Sequence, residues 1–107
     1  MSIKKLISQL LEKDEKDEKI PELMSSQVID IIKNVFDGYE FKKGSHIIIR
    51  DKTIKYYWEV TRDKDLGLSG ELIIPVKGGK KVKREYVKDI IKAIKIKKGL
   101  EGKIEKE

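Results

Sequence analysis

Three stretches of this sequence repeat apolar residues at helical spacing, and strand-like runs stand only between the second and the third. Ile3, Leu6, Ile7, Leu10 and Leu11 fall at three- and four-residue steps. So do Val28, Ile31, Ile32 and Val35, and again Val87, Ile90, Ile91 and Ile94. That spacing gives each helix one apolar stripe that must be covered. Helices that flank a run of strands can hide their stripes together against an antiparallel sheet, which is the α+β solution. A chain of 107 residues has room for one such domain, burying roughly two-thirds of the surface it exposes when unfolded.

The boundaries follow from local chemistry. The first helix spans about 3–13 and gives way to "EKDEKDEK", a mixed-charge stretch typical of a solvated helix end or linker. Pro21 resets the chain. Ser25 is the expected N-cap of the second helix, with Met24 and Ile29 as a hydrophobic staple across it. That helix buries Val28, Ile31, Ile32, Val35 and Phe36, and Asp37-Gly38 ends it, with glycine left-handed after the last turn. "YEFKK" and "HIIIR", joined at Gly44-Ser45, read as a hairpin. "TIKYYWEVT" (53–61) reads as a strand with Ile54, Tyr56, Trp58 and Val60 on one face. "RDKDLGLSG" is a loop, "ELIIPV" (71–76) a strand that Pro75 pushes to an edge or an end, and "KGGKK" a loop. A last helix runs from about Arg84 to about Lys97. Gly99 and Gly102 lead into a charged tail expected to fray.

Charge narrows the chemistry. Hydrophobic residues make up 38% of the chain and charged residues 41%, so the core is small and the surface densely ionic. There is no cysteine and a single histidine, which removes disulfides, thiol nucleophiles and zinc ribbons. No aliphatic run exceeds three residues, far short of the ~20 a membrane span needs. The N-terminus lacks the pattern of a secretory signal. The expectation is a soluble, cytoplasmic chain that does not enter a membrane. The net charge is +6, unevenly spread: residues 1–37 hold 6 basic and 8 acidic groups, whereas 77–98 hold ten Lys or Arg against Glu85 and Asp89. A patch of that kind attracts polyanions; a merely solvated surface would have the same composition. Arg84, Lys88, Lys92 and Lys95 fall opposite the apolar stripe of the last helix.

"YEFKKGSHIIIRD" followed by "IIPVKGGKKVKREYVKDIIKAI" resembles the HicA-type toxins, small RNA-cleaving proteins of toxin–antitoxin pairs. Lys43, Gly44, Ser45 and His46 match that family's Lys-Gly-Ser-His strand end. Ile74, Pro75, Val76, Lys77, Gly78 and Gly79 match its Val-Pro-Val strand and glycine loop, and Val87, Ile90, Ile91 and Ile94 match its final helix. The resemblance covers about residues 25–97. This chain departs from the pattern in three places. Ile47 stands where the family often has a second histidine, about twenty residues (51–70) replace a short turn, and the helix at 3–13 is additional.

The resemblance implies the αβββα fold of double-stranded-RNA-binding domains, an antiparallel sheet with helices on one face. Here an extra N-terminal helix and a long insertion before the last strand are added. The chain then divides into an N-terminal helix and linker (1–20), the domain (21–98) and a charged tail (99–107). It further implies a stress-response endoribonuclease that cleaves mRNA without a metal or other cofactor, restrained by a cognate HicB-like antitoxin covering its active site.

Residue chemistry is consistent with that implication. An imidazole, ordinarily titrating near ~6.5, can take the proton of a ribose 2′-OH at neutral pH. Gly44 lets the backbone turn tightly and approach a phosphate, and Ser45 can orient the ring or donate to a phosphate oxygen. Lys43, Lys77, Lys80, Lys81 and Lys83, with Arg84 and Lys88 on the helix, can neutralise phosphates. With one histidine, the second proton-transfer group falls to a lysine, Tyr39, Glu85 or water. Tyr56, Tyr57 and Trp58 could stack bases; at strand period Tyr56 and Trp58 belong instead to the core or a partner interface. The apolar stripe at 3–11 packs on the domain or would serve a homodimer. The alternative to a nuclease is a non-catalytic RNA-binding or protein-interaction module, in which His46 is an ordinary turn residue.

Overall fold

The computed structural model describes residues 2–42, 44–67 and 69–106, of which 100–106 as backbone alone. The order is α1 (Ile3–Glu15), β1 (Leu23–Met24), α2 (Ser25–Val35), β2 (Tyr39–Lys42), β3 (His46–Ile49), α3 (Lys52–Thr61), a 3-10 turn (Lys64–Leu66), β4 (Leu72–Pro75), β5 (Lys81–Val82) and α4 (Arg84–Lys106). It is an α+β domain with two antiparallel sheets among the described residues, one ordered β2-β3-β4 and one pairing β1 with β5. A radius of gyration of 13.5 Å is that of a compact chain of this length.

Side-chain alternation on the three-stranded sheet assigns its faces. Ile47 and Ile49 of β3 and Leu72 and Ile74 of β4 are buried, and they share one apolar cluster with residues from α1, α2, α3 and α4. Their in-between neighbours His46 and Ile73 are exposed. β3 is the central strand, and β4 is an edge on which Pro75 is the last residue. That placement is the one expected of a residue with no N–H to donate.

Several elements start or stop where the sequence did not point. α1 is capped by Ser2, whose Oγ accepts from the Lys5 N–H at 3.2 Å, and it runs on to Glu15. The N-cap of α2 is Met24 rather than Ser25. The Gln27 side chain accepts from the Met24 N–H at 3.0 Å, while Ser25 is buried as the first helical residue. Its own N–H donates to the Lys80 carbonyl at 3.1 Å, because β1 pairs with β5 in register Leu23↔Val82 and Met24↔Lys81. The shifted cap places Leu23 and Val28, both buried, at the staple positions. α2 ends by Phe36 turning extended, and Gly38 does not adopt a left-handed φ. Glycine is required at 38 for space, since a Cβ there would lie 2.6 Å from the Arg50 carbonyl oxygen. α4 continues past Lys97 to Lys106.

The largest correction concerns residues 53–61, which form a helix and not a strand. Asp51 caps it, its Oδ1 accepting from the N–H groups of Thr53 at 2.9 Å and Ile54 at 3.2 Å. Ile54 is fully buried and Tyr57 and Trp58 pack on the core, an i, i+3, i+4 set. Tyr56 and Val60 are 60% and 65% exposed, so of the core or an interface, the two places strand alternation offered Tyr56, the core is excluded. Trp58 carries the Arg62 guanidinium over its ring at 4.4 Å. Among the described residues no helix is long and apolar enough to cross a membrane.

Candidate functional site

The Gly44-Ser45-His46 segment sits at the tip of the β2–β3 hairpin. The Ser45 N–H donates to the Lys42 carbonyl at 3.3 Å, closing a β-turn whose third residue is Gly44 at φ 70°. A positive φ is a conformation that glycine adopts without steric cost. A Cβ on Gly44 would meet no atom within 4 Å, so the backbone there is open to a large ligand. The ladder places His46 opposite Lys42 on β2 and opposite Pro75 on β4. Beyond it the Val76 N–H donates to the Ser45 carbonyl at 2.8 Å.

The fold therefore joins the two sequence motifs: the Gly-Ser-His turn and the Pro75-Val76-Lys77 segment are neighbours held by backbone hydrogen bonds. His46 is exposed, and its Nδ1 lies 3.0 Å from the half-buried Ser45 Oγ. That contact leaves Nε2 as the nitrogen for a substrate. Ile47, where a second histidine was in question, is fully buried on the opposite face.

The exposed face continues from His46 as a line of charges around an apolar centre. Lys42 Nζ lies 3.7 Å from Glu40, Glu40 pairs with Arg50, and Arg50 Nε donates to Glu71 at 2.6 Å. Ile48 and Ile73, the latter 57% exposed, share the ladder row of Glu40, next to the row of Lys42, His46 and Pro75. Of the candidates for a second proton-transfer group, Tyr39 pairs with Ile49. It therefore stands at the far end of β2 and on the other face of the sheet from His46. Glu85 is in the first turn of α4.

The basic residues divide. Gly44, Lys77, Lys80, Lys81, Lys83 and Lys88 are exposed, and Lys43 lies outside the described residues. The Lys80 N–H donates to the Lys77 carbonyl at 3.2 Å, and Gly79 at φ 75° completes this tight lysine-bearing loop. Arg84 is tied down, its Nε donating to the Ile20 carbonyl at 2.5 Å. Together with Glu22, Lys83, Glu85 and Lys88 it lines a shallow depression of about 360 Å³ apart from His46. A depression of about 690 Å³ along the β4 edge is lined by Ile48, Ile73, Glu71, Asp65 and Asp89, and His46 does not reach it.

Two features escaped the sequence. Lys42 is the cation paired with His46; counting a three-residue loop back from His46 would have found it. The other is a buried ionic knot. Lys97, its side chain 6% exposed, reaches Asp51 at 2.5 Å and Asp37 at 3.0 Å, and Asp51 also accepts from the Asp37 N–H at 2.8 Å. Burial pushes the Asp51 carboxyl up, but the bonds from Lys97 and from the backbone N–H groups of Asp37 and Ile54 outweigh it and hold the group below its ordinary value. Burial likewise pushes the Lys97 ammonium down, and the bonds to Asp51 and Asp37 more than offset it, leaving it raised. Asp51 could have been suspected as a cap from its place before an apolar run.

Among the described residues no group of three or more His, Asp or Glu side chains is arranged to hold a metal ion. Neither family models, curated proteins nor solved structures give a match to this chain.

Proposed function

We propose that this chain is a HicA-like endoribonuclease that cleaves mRNA through His46 without a metal ion, and that a HicB-like antitoxin restrains it by covering the hairpin tip. The observation that carries the reading is the exposed His46 imidazole, braced by Ser45 and set beside the Pro75-Val76-Lys77 segment. An imidazole aimed outward from a glycine turn can reach the 2′-OH of an RNA strand laid across the open sheet face. The order α2-β2-β3-β4-α4 supports an αβββα arrangement of the double-stranded-RNA-binding kind, with α1, α3 and the β1–β5 pair as additions. The exposed lysines of 77–83 would hold phosphates and fix the register of the strand.

The second reading is a binding module on the same fold, with RNA or a protein as its partner. It is favoured by the lack of a further imidazole, position 47 being turned into the core. One experiment separates them: end-labelled mRNA incubated with the purified protein in the presence of a chelator. The nuclease reading expects cleavage that His46→Ala reduces at least ~100-fold, within the usual range for a removed acid–base group, with the melting temperature unchanged. Cleavage by the variant at the parent rate would end the proposal. RNA that is shifted on a gel but stays intact assigns the binding module.

A further inference from the structure

The open question at the hairpin tip is what meets the negative charge while His46 moves a proton. We propose that Lys42 does so, by contacting the scissile phosphate from the β2 side; this rests on the nuclease reading of His46. Lys42 is the direct cross-strand neighbour of His46, and side chains of such pairs start ~4.5–5.5 Å apart on one face. Both residues are exposed, while Ile47 between them and the next pair points into the core. Its ammonium lies on that face, with Nζ 3.7 Å from Glu40 two residues along the same strand, and contacting a phosphate would draw it off that carboxylate. The backbone bonds from Ser45 to Lys42 and from Val76 to Ser45 fix the register that sets the two residues side by side. The position across His46 on the other side is Pro75, which carries no charge, so the pairing is one-sided.

The reaction balances with these two groups and water. The neutral Nε2 of His46 takes the 2′-OH proton, the 2′-oxygen forms a bond to phosphorus, and the P–O5′ bond breaks. The 5′-oxygen leaves with a proton from water, giving a 2′,3′-cyclic phosphate and a 5′-hydroxyl, and the imidazolium returns its proton to solvent. Charge accumulates on the non-bridging oxygens as the fifth bond forms, and a cation fixed beside them stabilises that state more than the ground state. Ser45 Oγ accepts from Nδ1–H in this tautomer, which keeps Nε2 free as base.

The test compares Lys42→Met, Lys42→Arg and His46→Ala with the parent, measuring single-turnover cleavage of a labelled mRNA and the Kd of the same RNA carrying 2′-O-methyl groups throughout. Lys42→Met is expected to slow cleavage about 100-fold or more, the scale seen when one donor to a developing oxyanion is removed. Its Kd should move by less than about threefold, and Lys42→Arg should recover most of the rate because it keeps the charge. Parent-like cleavage by Lys42→Met, with His46→Ala inactive, overturns the role of Lys42 and leaves the nuclease reading standing. A loss of cleavage matched by an equal loss of affinity also overturns it, making Lys42 a binding cation only. If the parent leaves RNA intact, or His46→Ala cuts as the parent does, the nuclease reading and this inference fall together.

Discussion

Lysines at 77–83 and lysines at 92–97 look alike in the sequence, and the fold puts them to opposite uses. Lys77, Lys80, Lys81 and Lys83 are exposed, and among the described residues none has a carboxylate at ion-pair distance. Farther along α4, Lys92 is shared by Asp63 and Asp65 at 2.9 and 2.7 Å, Lys95 pairs with Asp14, and Lys97 is buried between Asp37 and Asp51. The first group leaves its charge facing outward; the second spends it on neighbouring elements. A net positive stretch is therefore only partly an offer to a polyanion. What decides is whether the fold has already supplied a carboxylate.

Lys97→Met is the strongest test of this division. It leaves Asp51 buried without its counter-charge, and breaking a buried pair on one side costs ~3–5 kcal/mol, so urea unfolding should show a loss of that order. A loss under about 1 kcal/mol would mean that Lys97 belongs with the surface group.

Acid and base should each open the same knot. Asp51 has a folded pKa below its unfolded value of ~3.9, so its contribution is full above that value and disappears as pH falls through the lower folded one. Lys97 is raised above ~10.4, so its contribution is full below that and disappears as pH rises through the higher folded value. Stability measured against pH should be flat in between for this pair, and Lys97→Met should remove the alkaline flank and weaken or reverse the acid one, because burial then acts on Asp51 without its counter-charge. A parent profile that already falls between about pH 6 and 9 would contradict the arrangement.

The smallest effects belong to the surface. Lys92→Ala should cost ~0–1 kcal/mol, and Lys77→Ala or Lys80→Ala should leave stability within ~0.5 kcal/mol. The loop variants should instead lower the slope of log Kd against log salt for single-stranded RNA by ~0.7 for each phosphate they cease to neutralise, while Lys92→Ala leaves the slope alone. Equal slopes for all three variants would erase the contrast.

Helical periodicity made α1, α2 and α4 legible, and the glycine turn made the β2–β3 hairpin and its exposed histidine legible. Residues 53–61 misled because Thr, Tyr, Trp and Val favour strands. Their helix depends on Asp51, and Asp51 is held by Lys97, 46 residues away. Propensity sees neither the cap's burial nor its distant counter-ion. A glycine after a helix suggests a left-handed turn because helices commonly end that way, but the constraint at Gly38 is the Arg50 backbone beside it. The two-residue β1–β5 pairing has too few residues to leave a period. The same limit hid Lys42, which is set apart by the residue it faces across the ladder rather than by what surrounds it in the chain.

The knot of Asp37, Asp51 and Lys97 grips the hairpin at its root, four ladder pairs from the tip that carries His46. Strands advance ~3.4 Å per residue, so Asp51 stands about 17 Å along the strand from His46, with four hydrogen-bonded pairs between them. The tip is held as well, by the Val76 N–H on the Ser45 carbonyl and by the pairing of β3 with β4 along its length, so the hairpin is fixed at both ends and His46 sits on a rigid ledge rather than a loose loop.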